Sequence, residues 1–216
     1  MSDETQMVSK YAGKTVLALG AHPDDLELGV GGTLALLSRA GARVIMAVVS
    51  IPSSLEARKT EARRSAELLG AEVTFLFPDD CRRVEDIKTY ELVDKVDALV
   101  NDFQPVAVLS HGLADFHRDH VLVYNACLAA QRLRFFDLFC YHPTSTRPIP
   151  LPFFPHVYVD ISATVDVKMR AIRLHESQFG KRGLDPGHLL ETARHFGHLI
   201  GVEFAEGLEV VRMKLN

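Results

Sequence analysis

Short apolar runs alternate with longer amphipathic stretches along this chain, and that alternation constrains the fold more than any other feature. Residues 15–20, 43–49, 72–77, 106–110 and 135–141 read as buried strands, separated by helical stretches at 27–41, 54–70, 90–103 and 120–132. Leu28, Leu34, Leu36 and Leu37 fall on one side of the first helix, with Gly41 as its stop, and Leu92, Val93, Val96, Leu99 and Val100 face inward on the third. Strands joined by helices of this length form a parallel sheet, and right-handed crossovers place helices on both of its faces. The expected class is therefore α/β, a Rossmann-like, doubly wound and mostly parallel sheet. After Tyr141 the pattern changes. Pro148, Pro150, Pro152 and Pro155 exclude a helix or central strand over 144–155, which reads as a loop crossing near the functional site. A strand at 156–161, a helix at 165–179, a loop at 180–187, a helix at 188–200 and a closing strand at 209–213 complete the chain. The 216 residues suffice for one substantial core, so residues 1–216 are read as a single domain.

Two polar clusters stand at strand ends. Ala21-His22-Pro23-Asp24-Asp25 follows the first apolar run, and Asp115-Phe116-His117-Arg118-Asp119-His120 follows the fourth. In a doubly wound sheet those two strands are often neighbours where strand order reverses, and the loops at their carboxyl ends open into one crevice. His22 and Asp25 would then face His120. Two imidazoles and one carboxylate are the ligand type of a hydrolytic zinc site with a position left for water. Zinc lowers the pKa of such a water toward about 7, which makes a nucleophile at neutral pH. Asp24 would offer that water a free carboxylate, and His117 could protonate a leaving amine or stabilise an oxyanion. Asp119 could fix the tautomer of an active-site imidazole.

Blander roles compete with each of these. Asp24 could cap the helix starting near Glu27, and Asp115 or Asp119 the helix entered at His120. Capping explains any one of these residues, but it does not explain three histidines in two strand-end clusters. Gly29-Val30-Gly31-Gly32 superficially suggests a dinucleotide fingerprint, yet it lies beyond the turn where a pyrophosphate would sit, so close helix-to-sheet packing is the better reading. His195 and His198 read as surface or interface residues and His175 as a structural hydrogen-bonder. His111 is either pocket-lining or a strand-end residue. Phe135-Phe136 and Phe153-Phe154 read as core rather than as a sugar-stacking platform, with Phe153-Phe154 the better exception because prolines flank its loop.

Charge and composition narrow the partners. A net charge of -4 gives no basic footprint for nucleic acid or an anionic membrane. Cys81, Cys127 and Cys140 lack CxxC spacing and suggest reduced thiols. No apolar run approaches the roughly 18 residues of a membrane span, and the polar start has no signal-peptide core. Cytoplasmic localisation is the expectation.

The stretch Ala21-His22-Pro23-Asp24-Asp25-Leu26-Glu27-Leu28-Gly29-Val30-Gly31-Gly32-Thr33-Leu34 closely resembles the signature of the PIG-L/LmbE-like zinc-dependent N-deacetylases. Their second signature, Asp-x-His-x-Asp-His, is matched by Asp115 to His120. Arg58-Lys59-Thr60-Glu61 with Leu69-Gly70 is similar to the family's Arg-x-x-Glu helix, and His175-Glu176-Ser177-Gln178 and Glu203-Phe204-Ala205-Glu206 echo its C-terminal half. The resemblance implies a metal site of His22, Asp25 and His120 holding Zn2+, with Asp24 as general base. It implies that His117 assists the tetrahedral intermediate or the amine, that Asp119 tunes it, and that Arg58 lies near substrate. The implied reaction removes acetyl from an N-acetylated amino sugar, a glycoconjugate of the N-acetylglucosamine type, and trimers or hexamers are implied by relatives. Two alternatives stand beside it: an amidase acting on a larger acyl-amino-sugar conjugate, and a catalytically silent sugar- or nucleotide-binding module. Ser50-Ile51-Pro52-Ser53-Ser54 departs from the longer loop of relatives, so one wall of the pocket is expected to be missing or supplied by another subunit.

Overall fold

The computed structural model describes residues 6–142, 153–182 and 186–215. A short helix α1 (Gln6–Tyr11) precedes β1 (Thr15–Gly20), α2 (Asp25–Arg39), β2 (Arg43–Val48), α3 (Leu55–Leu69) and β3 (Glu72–Phe75). A 3₁₀ turn (Val84–Asp86) leads to α4 (Thr89–Phe103), β4 (Ala107–Ser110), α5 (Arg118–Ala130) and β5 (Asp137–Tyr141). Then come β6 (Val157–Asp160), α6 (Val165–Arg173), α7 (Phe179–Arg182), α8 (Gly187–Ile200) and β7 (Ala205–Arg212). The strands form one sheet in the order β3-β2-β1-β4-β5-β7-β6. Pairing is parallel from β3 to β5, and β7 runs antiparallel to both β5 and β6. Strand order reverses between β1 and β4, as the sequence predicts, and a crevice opens there.

Side chains of β1 show why both faces must be covered. Val16 and Ala18 join a core with Leu34 and Leu37 of α2 and Met169 and Ile172 of α6. Leu17 and Leu19 join a second core with Val96 and Val100 of α4 and Val123 and Cys127 of α5. Successive residues of a strand point to opposite faces, so an unbroken apolar run is the mark of a strand buried on both.

The glycines of α2 are steric, as the sequence suggests. A Cβ at Gly29 would lie 2.4 Å from the Tyr141 ring, and one at Gly32 would lie 2.8 Å from Ile161. Between them Val30 leaves helical geometry (φ -138, ψ 17), which divides the helix. Glu206 of β7 then caps the second half, accepting from the amides of Gly32 (3.0 Å) and Thr33 (2.7 Å), while Lys168 Nζ pairs with it at 2.6 Å. A carboxylate at a helix N-terminus satisfies donors that have no partner within the helix.

Other elements differ from expectation. The polar start hides α1, whose Met7, Val8 and Tyr11 are buried and whose Tyr11 hydroxyl donates to Asp137 at 2.6 Å. One turn with three apolar residues is too short for a periodic signal. The helix expected over 165–179 ends at Arg173, because His175 turns inward to Glu27 at 3.0 Å. The expected loop at 180–187 contains the last turn of α7. β7 starts at Ala205, earlier than expected, because its first residues are the buried ones. The proline-rich 144–155 segment lies outside the described residues except at its end, where Pro155 packs on Gly207.

Candidate active site

The site is built on the ends of β1 and β4. The β1 loop folds back on itself: the His22 amide donates to Asp25 Oδ2 at 2.8 Å, and the Leu28 amide to the Asp24 carbonyl at 3.0 Å. Asp24 adopts a left-handed backbone (φ 100) at the entry to α2 and makes no side-chain capping bond. Its carboxylate lies instead 3.6 Å from Arg58 Nη2, whose guanidinium also donates to the Pro23 carbonyl at 2.7 Å. The capping explanation thus fails for Asp24. A non-glycine residue held at positive φ stores strain, which marks such turns as sites the surrounding structure imposes.

The β4 loop supplies the other half. Asp115 accepts from the His117 amide (3.0 Å) through one oxygen and holds His120 Nδ1 (2.8 Å) through the other. Asp119 holds His22 Nε2 at 2.9 Å. His117, rather than either aspartate, caps α5, its Nδ1 accepting from the Asp119 amide at 3.2 Å. Each of the two imidazoles His22 and His120 is therefore anchored by a carboxylate at one nitrogen. Their other nitrogens face Asp25: His22 Nδ1 lies 3.7 Å and His120 Nε2 3.4 Å from its oxygens.

Among the described residues, two three-residue groups have donor atoms within 4.8 Å of one another, His22-His117-His120 and Asp25-His111-His120. A divalent ion can be held in this cluster. Hydrogen bonds separate its members, since a ring nitrogen that accepts an amide proton has no lone pair left for an ion. His117 Nδ1 is so used. His111 Nε2 accepts from the Ala21 amide at 3.0 Å.

The PIG-L family model, described as GlcNAc-PI de-N-acetylase, matches residues 17–131. The chain belongs to this family. It is 28% identical over 185 residues to the uncharacterized deacetylase YaiS of Escherichia coli K12, covering 81% of this chain and 97% of that protein. It is 28% identical over 226 residues to diacetylchitobiose deacetylase of Thermococcus kodakarensis, covering 92% of this chain and 83% of that one. The fold is also that of GalB, the 4-carboxy-2-hydroxymuconate hydratase of Pseudomonas putida KT2440, with a TM-score of 0.76 and 23% identity over 94% of this chain and 98% of GalB. This fold thus carries more than one reaction, and function has to be argued from the site.

Both loop clusters lie inside the PIG-L match, and their electrostatics diverge. Burial pushes the Asp24 carboxyl up to about 6, against the pull of Arg58 and with the help of neighbouring Asp25. Burial acts on Asp25 in the same sense, but the charges of His120 and His111 beside it hold it well below the usual carboxylate range. His120 is raised to about 10: burial opposes its charge, but Asp25 and Asp115 overcome that. An ion bound there would have to displace this proton. Burial lowers His117, and the charges of His120 and His22 lower it further. Burial brings His111 down to about 4.

Sequence reasoning reached some of these residues only in part. His111 is fully buried and stacks on His120 with ring centroids 3.8 Å apart. Its sequence signal was its position immediately after β4. Asp115 is an imidazole anchor rather than a cap. Tyr141 had no signal. It donates to the Leu19 carbonyl at 2.9 Å and lies 3.1 Å from His111 Nε2, a place it reaches only because Gly29 has no side chain. Arg58, expected beside substrate, is only 5% exposed, with its guanidinium under the Pro23-Asp24 turn. Beside the short Ser50–Ser54 loop, Ser50 Oγ donates to the Arg82 carbonyl, and the 3₁₀ turn packs against α5. Among the described residues no helix is long and apolar enough to cross a membrane.

Proposed function

We propose that this chain is a zinc-dependent N-deacetylase that hydrolyses the acetamide of an N-acetylated amino sugar, of the N-acetylglucosamine type, to acetate and the free amine. One observation carries the reading. His22 and His120 are each anchored by a carboxylate at one nitrogen, and their remaining nitrogens converge on Asp25, which is how imidazoles are oriented for an ion. His22, Asp25 and His120 are the residues that would hold it, a donor set suited to zinc. When bound, the ion supplies a Lewis acid that polarises the amide carbonyl and acidifies water.

The chain's own residues do the rest. Asp24 is the base that takes the proton of the attacking water. Its carboxyl, at about 6, is ionised at neutral pH yet basic enough to accept that proton and pass it to the departing nitrogen. His117 accepts at Nδ1, so its neutral ring carries hydrogen on Nε2 and donates to the negative charge that develops on the amide oxygen. Asp119 serves both halves, with its carboxylate on His22 and its amide on His117. Arg58 is read as a positioning residue that holds the Pro23-Asp24 turn and keeps the Asp24 carboxyl from rising further.

The test is a panel of N-acetylated amino sugars and glycosides incubated with the zinc-loaded protein and assayed for free amine and acetate. Release of both in equal amounts is the expected result. A zinc-loaded protein that releases amine only from longer acyl conjugates would point to the amidase alternative, and one that binds sugars without turnover to the silent module.

A further inference from the structure

We propose that Leu113, Phe116 and Phe154 form an apolar rim at the mouth of the site, which takes an aryl or alkyl group attached to the amino sugar. The inference rests on the deacetylase reading and adds to it the class of substrate preferred. The loop from β4 to α5 starts at fully buried His111 and passes His117 on the outer side of the site. Between them two large apolar side chains face solvent, Leu113 at 63% exposure and Phe116 at 48%. Phe116 is not remote from the chemistry: its ring meets that of His117 edge-on, with centroids 6.4 Å apart.

Phe154 comes from a distant part of the chain and is 69% exposed. Its amide donates to Glu209 Oε1 at 2.9 Å. The other oxygen of the same carboxylate lies 3.6 Å from where a Cβ at Gly112 would stand. The Glu209 carboxylate therefore stands between the Phe154 backbone and Gly112, the residue before Leu113. Exposed apolar side chains scattered singly need no explanation. Two on the loop of a candidate catalytic histidine, and a third on a segment that meets the same Glu209 carboxylate as that loop, do need one.

The polar chemistry of this loop points the other way. Asp115, which could have met sugar hydroxyls, is turned inward onto His120 and the His117 amide. With Asp115 so engaged, Leu113 and Phe116 present hydrocarbon at the mouth, whereas the hydroxyls of a bare second sugar would require donors and acceptors. An apolar group leaving the pocket past His117 would shield these side chains from water and be held by them.

The experiment compares phenyl and methyl N-acetylglucosaminides as substrates. Wild-type protein is expected to favour the phenyl glycoside in kcat/KM. The double variant Leu113→Ser/Phe154→Ser changes only exposed side chains, and it should lower the phenyl-to-methyl ratio about tenfold, through KM. Phe116→Ser should lower the same ratio in a separate measurement, since this residue also touches His117. An unchanged ratio, or equal losses on both substrates, overturns the rim. So does a ratio that stays constant while light scattering shows the double variant breaking up an oligomer, because the patch is then a subunit interface. Calorimetric binding of phenyl and methyl glucosaminides, which have no acetyl group to lose, separates the two readings. A phenyl preference in binding with no acetate released from any substrate would keep the rim and sink the deacetylase reading. Acetate release with no phenyl preference in binding would do the reverse.

Discussion

Two buried carboxylates at α2 behave very differently, Asp25 at its start and Glu206 at its kink. Glu206, 3% exposed, is satisfied within the chain: two backbone amides and the Lys168 ammonium meet it at 2.6–3.0 Å, and its charge is balanced. Asp25, 4% exposed, accepts the His22 amide at 2.8 Å and has nitrogens of His22, His120 and His111 at 3.3–3.7 Å. The first cluster is closed and holds the kinked helix against β7. In the second, the nitrogens of His22 and His120 that face Asp25 stand farther from it than in a good hydrogen bond, while Asp119 and Asp115 hold the far nitrogens of the same two rings. Two imidazoles steered by outer carboxylates toward one inner carboxylate have the form of an ion site.

The comparison breaks most directly at His120. His120→Ala is expected to remove stoichiometric metal and reduce deacetylation to background, checked by elemental analysis beside the amine assay. Metal retained with turnover intact would dissolve the distinction between the two clusters. Next in size is Asp24→Asn, expected to keep metal and lose about 10²–10⁴-fold in turnover. Loss of metal in that variant would mean that the roles within the Asp24-Asp25 pair are reversed. The pH profile of the wild type tests the same residue. Because burial raises the Asp24 carboxyl to about 6, the base is protonated below that pH, so turnover should fall about tenfold per pH unit on the acid side. A profile flat from pH 5 to about 7.5 would remove Asp24 from the role of base.

Glu206→Ala is the matching break in the closed cluster. It leaves the Lys168 ammonium buried without its partner, and urea unfolding should show a loss of about 3–5 kcal/mol while metal stoichiometry is unchanged. A variant that loses metal instead would show that the two clusters are coupled through α2. The smallest effect is expected at the outer anchors. Asp115→Asn keeps the shape but weakens the hold on His120 Nδ1, and metal affinity should fall about 10–100-fold by competition with a chelator.

Much of the fold was readable because it depends on local rules. Strands buried on both faces must be continuous apolar runs, and the helices between them fix a parallel sheet, so the order reversal at β1 and β4 followed. What failed depends on partners far away in the chain. The kink at Val30 goes with Glu206, Tyr141 and Ile161, and the end of α6 at Arg173 with Glu27, none of which is a sequence neighbour of the element it shapes.

The same division runs through the site. By itself the sequence determined which chemistry is available and where: His22, Asp24 and Asp25 after one strand, His117, Asp119 and His120 after another, and a topology that sets the two strands side by side. Only the tertiary structure decided how each group is used. Asp24 and Asp25 are adjacent and chemically identical, yet one carboxyl is driven up by burial and the other held down by two imidazoles. Whether His111 lined the site could not be read from one histidine at a strand end, and it was decided by the Ala21 amide and the His120 ring across the β1–β4 boundary. The physical reason is that residue type and spacing are local, whereas desolvation and hydrogen-bond partners are properties of what the folded chain packs around each group.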